Sequence, residues 1–319
     1  MRVAHGSPTF RREETTARGI PPRTTGHATD TELSGRPGPA TTTLGRRYRI
    51  TSRLGAGGSG EVFRAIDLRL GRPVALKVFA LDDASPQDVR RYAQEARVLA
   101  GLRHPGLVAL FDVGADQVPA LGPVAYLAME LIEGTTLRDT IAQGALPAGV
   151  TAEVGHQLAL ALAHAHAAGV VHRDVKPSNV LVAEPDGAPV VMDQPVLTVV
   201  LADFGIATTR TRSGPANRGP AVSSGTASYH SPEQALGQAV GPASDVYSLG
   251  LVLLECRTGS RTYPGAPLAS SLARLLGPVP VPQDLGRDWV RLLTAMTAAD
   301  ADDRPPLTAV AAELRALRG

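Results

Sequence analysis

The feature that most constrains the fold is a glycine-rich run, Gly55-Ala56-Gly57-Gly58-Ser59-Gly60, and what lies on either side of it. Glycine has no Cβ, so backbone N–H groups in such a run can come close to phosphate oxygens. In a dinucleotide-binding turn this spacing ends a strand and opens a helix. Here residues 48–54 read as a strand before the run, and residues 61–67 alternate like a strand after it. The run is therefore the tip of a hairpin. It serves either as a lid over phosphates or as a plain flexible loop.

A hairpin-rich opening continues from there. Gly71-Arg72-Pro73 turns the chain into a third strand at residues 74–79, with no long helix among the three strands. Residues 87–102 read as a helix, with Val98, Leu99 and Leu102 at helical spacing. Strands at 107–113 and 125–131 follow. After Gly134 the pattern becomes helical, with a long apolar-rich helix at 152–168. Strand-like pieces return at 180–182 and 198–201, and from Ser231 on helices alternate with Pro- and Gly-rich loops. A sheet-dominated first part before a helical second part implies an α+β fold in two lobes.

Two further motifs carry chemistry. Lys77 lies inside the apolar strand Val74-Ala75-Leu76-Lys77-Val78. A charge there is costly unless it is matched. Either Lys77 snorkels from a strand edge, or it pairs with an acid, and Glu95 in the next helix offers one. The second motif is His172-Arg173-Asp174-Val175-Lys176-Pro177-Ser178-Asn179, followed beyond a short strand pair by Asp203-Phe204-Gly205. Phosphoryl transfer needs a carboxylate near the attacking hydroxyl, oxygen ligands for Mg²⁺, and cations against developing charge. These segments contain all three kinds of group.

Composition excludes some functions. Lys and Arg number 32 against 30 Asp and Glu, a formal net charge of +2, so no nucleic-acid or membrane-surface partner is implied. The single cysteine, Cys256, excludes an internal disulfide and suits a reducing compartment; its apolar neighbours mark it as a small buried hydrophobe. No apolar stretch reaches the roughly 18 to 20 residues of a membrane span, and the N-terminus has no signal-peptide core, so a soluble, cytoplasmic protein is expected. Residues 1–46, rich in Thr, Arg, Gly and Pro, show no apolar periodicity and are expected to be disordered. They form either a regulatory tail, with Thr15, Thr16 and the threonines at 41–43 as phosphoacceptors, or a solvated extension. His164 and His166 lie two apart on a helix, about 200° around its axis, and so do not share a metal.

Taken as an ordered series, these motifs resemble those of the protein kinase family, in its bacterial serine/threonine branch, over residues 48–317. The resemblance implies a bilobal fold, with a β-rich N-lobe at 47–132 and a helical C-lobe at 133–317. It implies that Leu54, Gly55, Ala56, Gly57, Gly58, Ser59 and Gly60 cover the phosphates of ATP. Lys77 would contact the α- and β-phosphates and pair with Glu95. Met129 would stand behind the adenine pocket, the backbone of Glu130 and Ile132 would bond the adenine edge, and Val62, Ala75 and Leu181 would sandwich the ring. Asp174 would orient and deprotonate the substrate hydroxyl while Lys176 stabilises the transferring group. Asn179 and Asp203 would bind Mg²⁺, or Mn²⁺ in its place.

The same resemblance reaches the structural positions. Leu99, Leu110, His172 and Phe204 would stack between the lobes. Thr226 and the stretch Tyr229-His230-Ser231-Pro232-Glu233 resemble the end of an activation segment, with Glu233 paired to Arg304 and Asp245 bracing the His172-Arg173 turn. Lys176 and Thr226 fit serine/threonine specificity. Arg173, next to Asp174, implies control by phosphorylation at Thr208, Thr209, Thr211, Ser213, Ser223 or Ser224. The partners implied are protein substrates bearing Ser or Thr, with self-association for autophosphorylation. A scaffold that has lost catalysis is disfavoured because Lys77, Asp174 and Asp203 are all present; a small-molecule phosphotransferase is disfavoured by the peptide-groove segment at 226–233. Four features depart from the family pattern: Ser231 in place of Ala, Ser59 in place of an aromatic, extra residues at 184–195, and a short Pro-rich stretch at 258–288.

Overall fold

The structure, a computed structural model, describes residues 42–57, 60–81, 94, 96, 98–119, 122–183, 197–204 and 227–318. The six-stranded antiparallel sheet of the first lobe contains β1 (Thr43–Leu44), β2 (Tyr48–Gly57), β3 (Gly60–Asp67), β4 (Arg72–Ala80), β5 (Leu110–Val118) and β6 (Gly122–Met129), in the order β1-β2-β3-β4-β6-β5. Residues 98–101 are helical and stand between β4 and β5 in the chain. Period-two alternation sorts the sheet's side chains. Phe63, Ala65, Val74, Leu76, Val78, Tyr126 and Ala128 form the lobe's own core. The alternate residues, Val62, Ala75, Lys77, Leu127 and Met129, therefore share the opposite face. Gly60 closes the β2–β3 hairpin at φ +128°, and a Cβ there would meet the Val78 carbonyl oxygen at 2.5 Å. Only glycine fits that position.

The second lobe begins with a three-stranded sheet of β7 (Gly134–Thr136), β8 (Val180–Ala183) and β9 (Thr198–Leu201). Its helices are α1 (Leu137–Ile141), α2 (Ala148–Ala167), α3 (Pro232–Ala235), α4 (Pro242–Thr258), α5 (Pro267–Ala273), α6 (Arg287–Met296) and α7 (Leu307–Ala316). In α4, 13 of 17 residues are buried, including Cys256, so this helix is the axis around which the lobe packs. Gly155 on α2 lets that axis come close: a Cβ there would sit 2.9 Å from side-chain atoms of both Leu253 and Leu314. No described helix is long and apolar enough to cross a membrane.

Two boundaries differ from the sequence reading. Regular structure starts upstream of residue 46, because Thr43–Leu44 pairs with Tyr48 and Arg49, and Leu44 is only 1% exposed. A two-residue strand is too short to show periodicity. The strand expected at 107–113 is displaced to Leu110–Val118, while Leu107 forms an isolated bridge with Leu201. β5 is a sheet edge, and its polar residues Asp112, Asp116 and Gln117 hide its pattern. Residues 1–41 and 184–196 lie outside the described residues, so the tail threonines Thr15, Thr16 and Thr41 and the extra stretch do as well.

Candidate active site

Lys77 is 6% exposed on the cleft-facing side of β4, opposite Leu127 of β6. It is no edge lysine: β4 is flanked on both sides, by β3 and β6. Its Nζ lies 2.9 Å from Oδ1 of Asp203, which joins the two lobes by an ion pair. Glu95, the partner expected from the sequence, lies outside the described residues. Ala75 and Met129 stand opposite each other on β4 and β6, and Leu110 of β5 stands opposite Met129 on its other side. Beneath them a cleft open to solvent is lined by Lys77, Leu99, Leu110, Met129, Asp203 and Phe204, among others. The backbone N–H of Glu130 donates to the Ala109 carbonyl at 2.8 Å. Leu54 is half exposed, and Gly57 lies opposite Gly60 in the hairpin. Leu181 sits mid-strand in β8.

The loop after α2 carries the second half of the site. Arg173 has φ +68° and Asp203 φ +61°, backbone conformations that cost energy for non-glycine residues. The Arg173 turn is held from α4. Asp245, fully buried, accepts the backbone N–H groups of His172 and Arg173, both at 2.8 Å. His166 on α2 adds its Nε2 at 2.7 Å from the same carboxylate. His172 is fully buried, and burial pushes its pKa down. The neutral ring fits its contacts: Nε2–H donates to the Ala202 carbonyl at 3.0 Å, and Nδ1 accepts the Asp174 N–H at 3.3 Å. Its ring packs on Phe204 with centroids 4.7 Å apart, and Leu99 and Phe204 lie against the core of the second lobe.

Asp174 is the hub of this loop. Lys176 Nζ donates to its Oδ2 at 2.7 Å. Asn179 Nδ2 donates to its carbonyl at 2.8 Å and to Oδ2 at 3.1 Å. The Pro177–Asn179 3₁₀ turn that places Asn179 leads straight into β8, so the sheet fixes the loop's exit. Gly58, Ser59, Gly205, Thr208, Thr209, Thr211, Ser213, Ser223, Ser224 and Thr226 lie outside the described residues.

Beyond residue 226 the chain is anchored again. Arg304 forms a bidentate pair with Glu233, at 2.7 and 3.0 Å, and Ser244 Oγ donates to the same carboxylate. Burial alone would raise the Glu233 pKa, but the bonds from Arg304 and Ser244 outweigh it and hold the carboxyl down at about 2. Ser231 caps α3: its Oγ accepts the Gln234 N–H at 3.3 Å, and the Gln234 side chain accepts the Ser231 N–H in return. An alanine there would lack this cap, which gives the departure at 231 a local reason. The Gln234 amide also donates to the Arg173 carbonyl at 2.8 Å, tying α3 to the Asp174 loop. The roles of His166 and Gln234 were not legible beforehand. The Ser231–Gln234 spacing does carry a capping signal, whereas nothing local marks His166.

Comparison with known proteins agrees with this geometry. The model of the family described as "Protein kinase domain" matches residues 48–313, and the chain belongs to that family. It is 40% identical over 247 residues to serine/threonine-protein kinase PknA of Mycobacterium tuberculosis, covering 76% of this chain and 54% of that protein. It is 41% identical over 224 residues to serine/threonine-protein kinase PknB of the same organism, covering 70% of this chain and 34% of that protein. The chain thus spans about half of the first relative and a third of the second.

Proposed function

We propose that this chain transfers the γ-phosphoryl group of ATP to serine and threonine hydroxyls of proteins, itself included. The observation that carries the proposal is the convergence of Asp174, Lys176 and Asn179 on one loop beside the Lys77–Asp203 pair that spans the lobes. Asp174 receives the proton of the acceptor hydroxyl. Lys176, already at its carboxylate, bears on the charge that develops on the transferring group. Lys77 holds the α- and β-phosphates, the hairpin tip at 55–60 covers them, and the β3–β4 face with Val62 and Ala75 covers the adenine, with Leu181 beneath. The Glu130 carbonyl and the Ile132 N–H read the adenine edge, since the Glu130 N–H is engaged with Ala109.

Asp203 and Asn179 bring hard oxygen donors, which suit Mg²⁺ or Mn²⁺. Among the described residues no cluster of three or more His, Cys, Asp or Glu competes for another metal. The Asn179 amide nitrogen is engaged with Asp174, so Oδ1 is the atom that would face the ion. When bound, the divalent ion neutralises charge on the phosphates. An ATP-dependent enzyme with one free, buried cysteine suits the cytoplasm.

Arg173 links the site to regulation. A phosphate at one of Thr208, Thr209, Thr211, Ser213, Ser223 or Ser224 would pair with this cation, and exchange between two copies of the chain would place it there. The test is to incubate purified protein with Mg²⁺ and ATP and to map phosphosites by mass spectrometry. Phosphate is expected on serine or threonine within residues 208–224. A wild-type protein that binds ATP yet phosphorylates neither itself nor any peptide would overturn the proposal.

A further inference from the structure

The stretch 258–288, short and Pro-rich, runs from the end of α4 to the start of α6 and contains one whole α-helix, α5. Arg274 immediately follows that helix and is only 3% exposed. A buried guanidinium ordinarily meets a carboxylate. Arg274 does not do so among the described residues. Its Nε donates to the Ser270 carbonyl at 3.1 Å, and its two terminal nitrogens donate to the carbonyls of His230 and Ala227. The cation also lies 4.9 Å from the centroid of the Tyr263 ring. Burial pulls its pKa below the ordinary value, against the opposing influence of Tyr247 and Tyr263. Desolvating a charge to hold two carbonyls of one short segment is an expensive arrangement.

The segment it holds faces the chemistry. Ala227 opens the single turn Ala227–Tyr229 and His230 follows it, just before the Ser231 cap. His230 is close enough to the Asp174 loop for the charges of both Asp174 and Lys176 to act on it. Ser248 Oγ fixes the Tyr229 carbonyl from α4 at 2.7 Å, and Gln234 ties the far side to Arg173. Of these anchors only Arg274 comes from the α5 side, and it alone secures both ends of the turn.

We infer that Arg274 is a positioning residue for the protein acceptor: its guanidinium fixes residues 227–230 as the floor beside Asp174 on which the substrate chain lies. This rests on the kinase reading above and deepens it. Among the described residues the hydrogen bonds of Arg274 go to Ser270, His230 and Ala227 and none to β3, β4 or β6, which places its role with the acceptor and not with ATP. A lysine in its place offers a point charge instead of a planar fork and reaches the two carbonyls less well.

The test compares wild type, Arg274→Met and Arg274→Lys on an arrayed library of Ser/Thr peptides, with nucleotide affinity measured separately by titration with Mg²⁺-ADP. Misplacing an acceptor by an ångström costs up to about 100-fold. Arg274→Met should lower kcat/KM for the peptide by about 10- to 100-fold with ADP affinity within about twofold of wild type, and Arg274→Lys should fall between. Wild-type peptide kinetics in Arg274→Met overturn the inference, as does an equal loss of ADP affinity. If Arg274→Met does not fold, Arg274→Lys decides: reduced peptide kcat/KM at unchanged ADP affinity supports the role, and wild-type kinetics overturn it. A wild-type protein that binds ADP and phosphorylates no peptide overturns the kinase reading itself, and this role with it.

Discussion

At the scale of single residues, Asp245 shows how much of the site is built from outside it. One buried carboxylate takes two backbone N–H groups from the turn before Asp174 and a third contact from His166. Arg173 sits at positive φ, so the turn is held against its own preference. Asp245→Asn would point an amide nitrogen at a group that also donates. It should destabilise the fold by about 1–3 kcal/mol, the cost of a buried donor left unsatisfied, and lower the phosphotransfer rate as well. Urea unfolding and a rate measurement on the same sample check both. Wild-type stability would mean that the turn holds itself. His166 shares this carboxylate, and its importance was not readable from spacing: two histidines on a helix two residues apart say only that they face different ways.

At the scale of elements, α3 works as a clamp between the Asp174 loop and the far end of the lobe. Its cap, Ser231, orients the first turn, Gln234 reaches Arg173, and Glu233 locks to Arg304. Removing one partner of a buried pair costs more than removing both. Arg304→Met should cost about 3–5 kcal/mol, and adding Glu233→Gln should recover part of it, as read from denaturant midpoints. The pair also sets a pH dependence. The Glu233 carboxyl is held at about 2 in the fold against an ordinary value of 4.5, so the unfolded chain binds its proton first. Its contribution is complete above the ordinary value and is lost as the pH falls toward the folded one. Between neutral and acidic melts, wild type should lose more stability than the Glu233→Gln variant; equal losses would contradict the assigned pKa.

At the scale of the molecule, the division into a sheet lobe and a helical lobe was readable from the change of periodicity after Gly134, because each lobe buries its own core. Strand β3 was readable nearly to the residue, since one face is buried and the alternation is clean. The edge strand β5 was not, because its apolar Val113 and Ala115 are exposed while the acids Asp112 and Asp116 are partly buried. A lysine within an apolar strand is either an edge charge or one matched by an acid such as Glu95; Lys77 lies on an internal strand with Asp203 2.9 Å away, and Glu95 lies outside the described residues. Arg274 was invisible for the opposite reason. In a stretch with four leucines nearby it reads as an ordinary solvent-facing charge, and two of its three carbonyl partners, His230 and Ala227, lie more than forty residues upstream. The proposed phosphotransfer turns on one atom group, the Asp174 carboxylate. Its most direct test is the rate of phosphate transfer from ATP to a peptide by Asp174→Asn, measured beside wild type with nucleotide affinity as the control. Loss of a positioned base should lower the rate by about 10²- to 10⁴-fold while nucleotide still binds. Near-wild-type turnover in that variant would contradict the central claim.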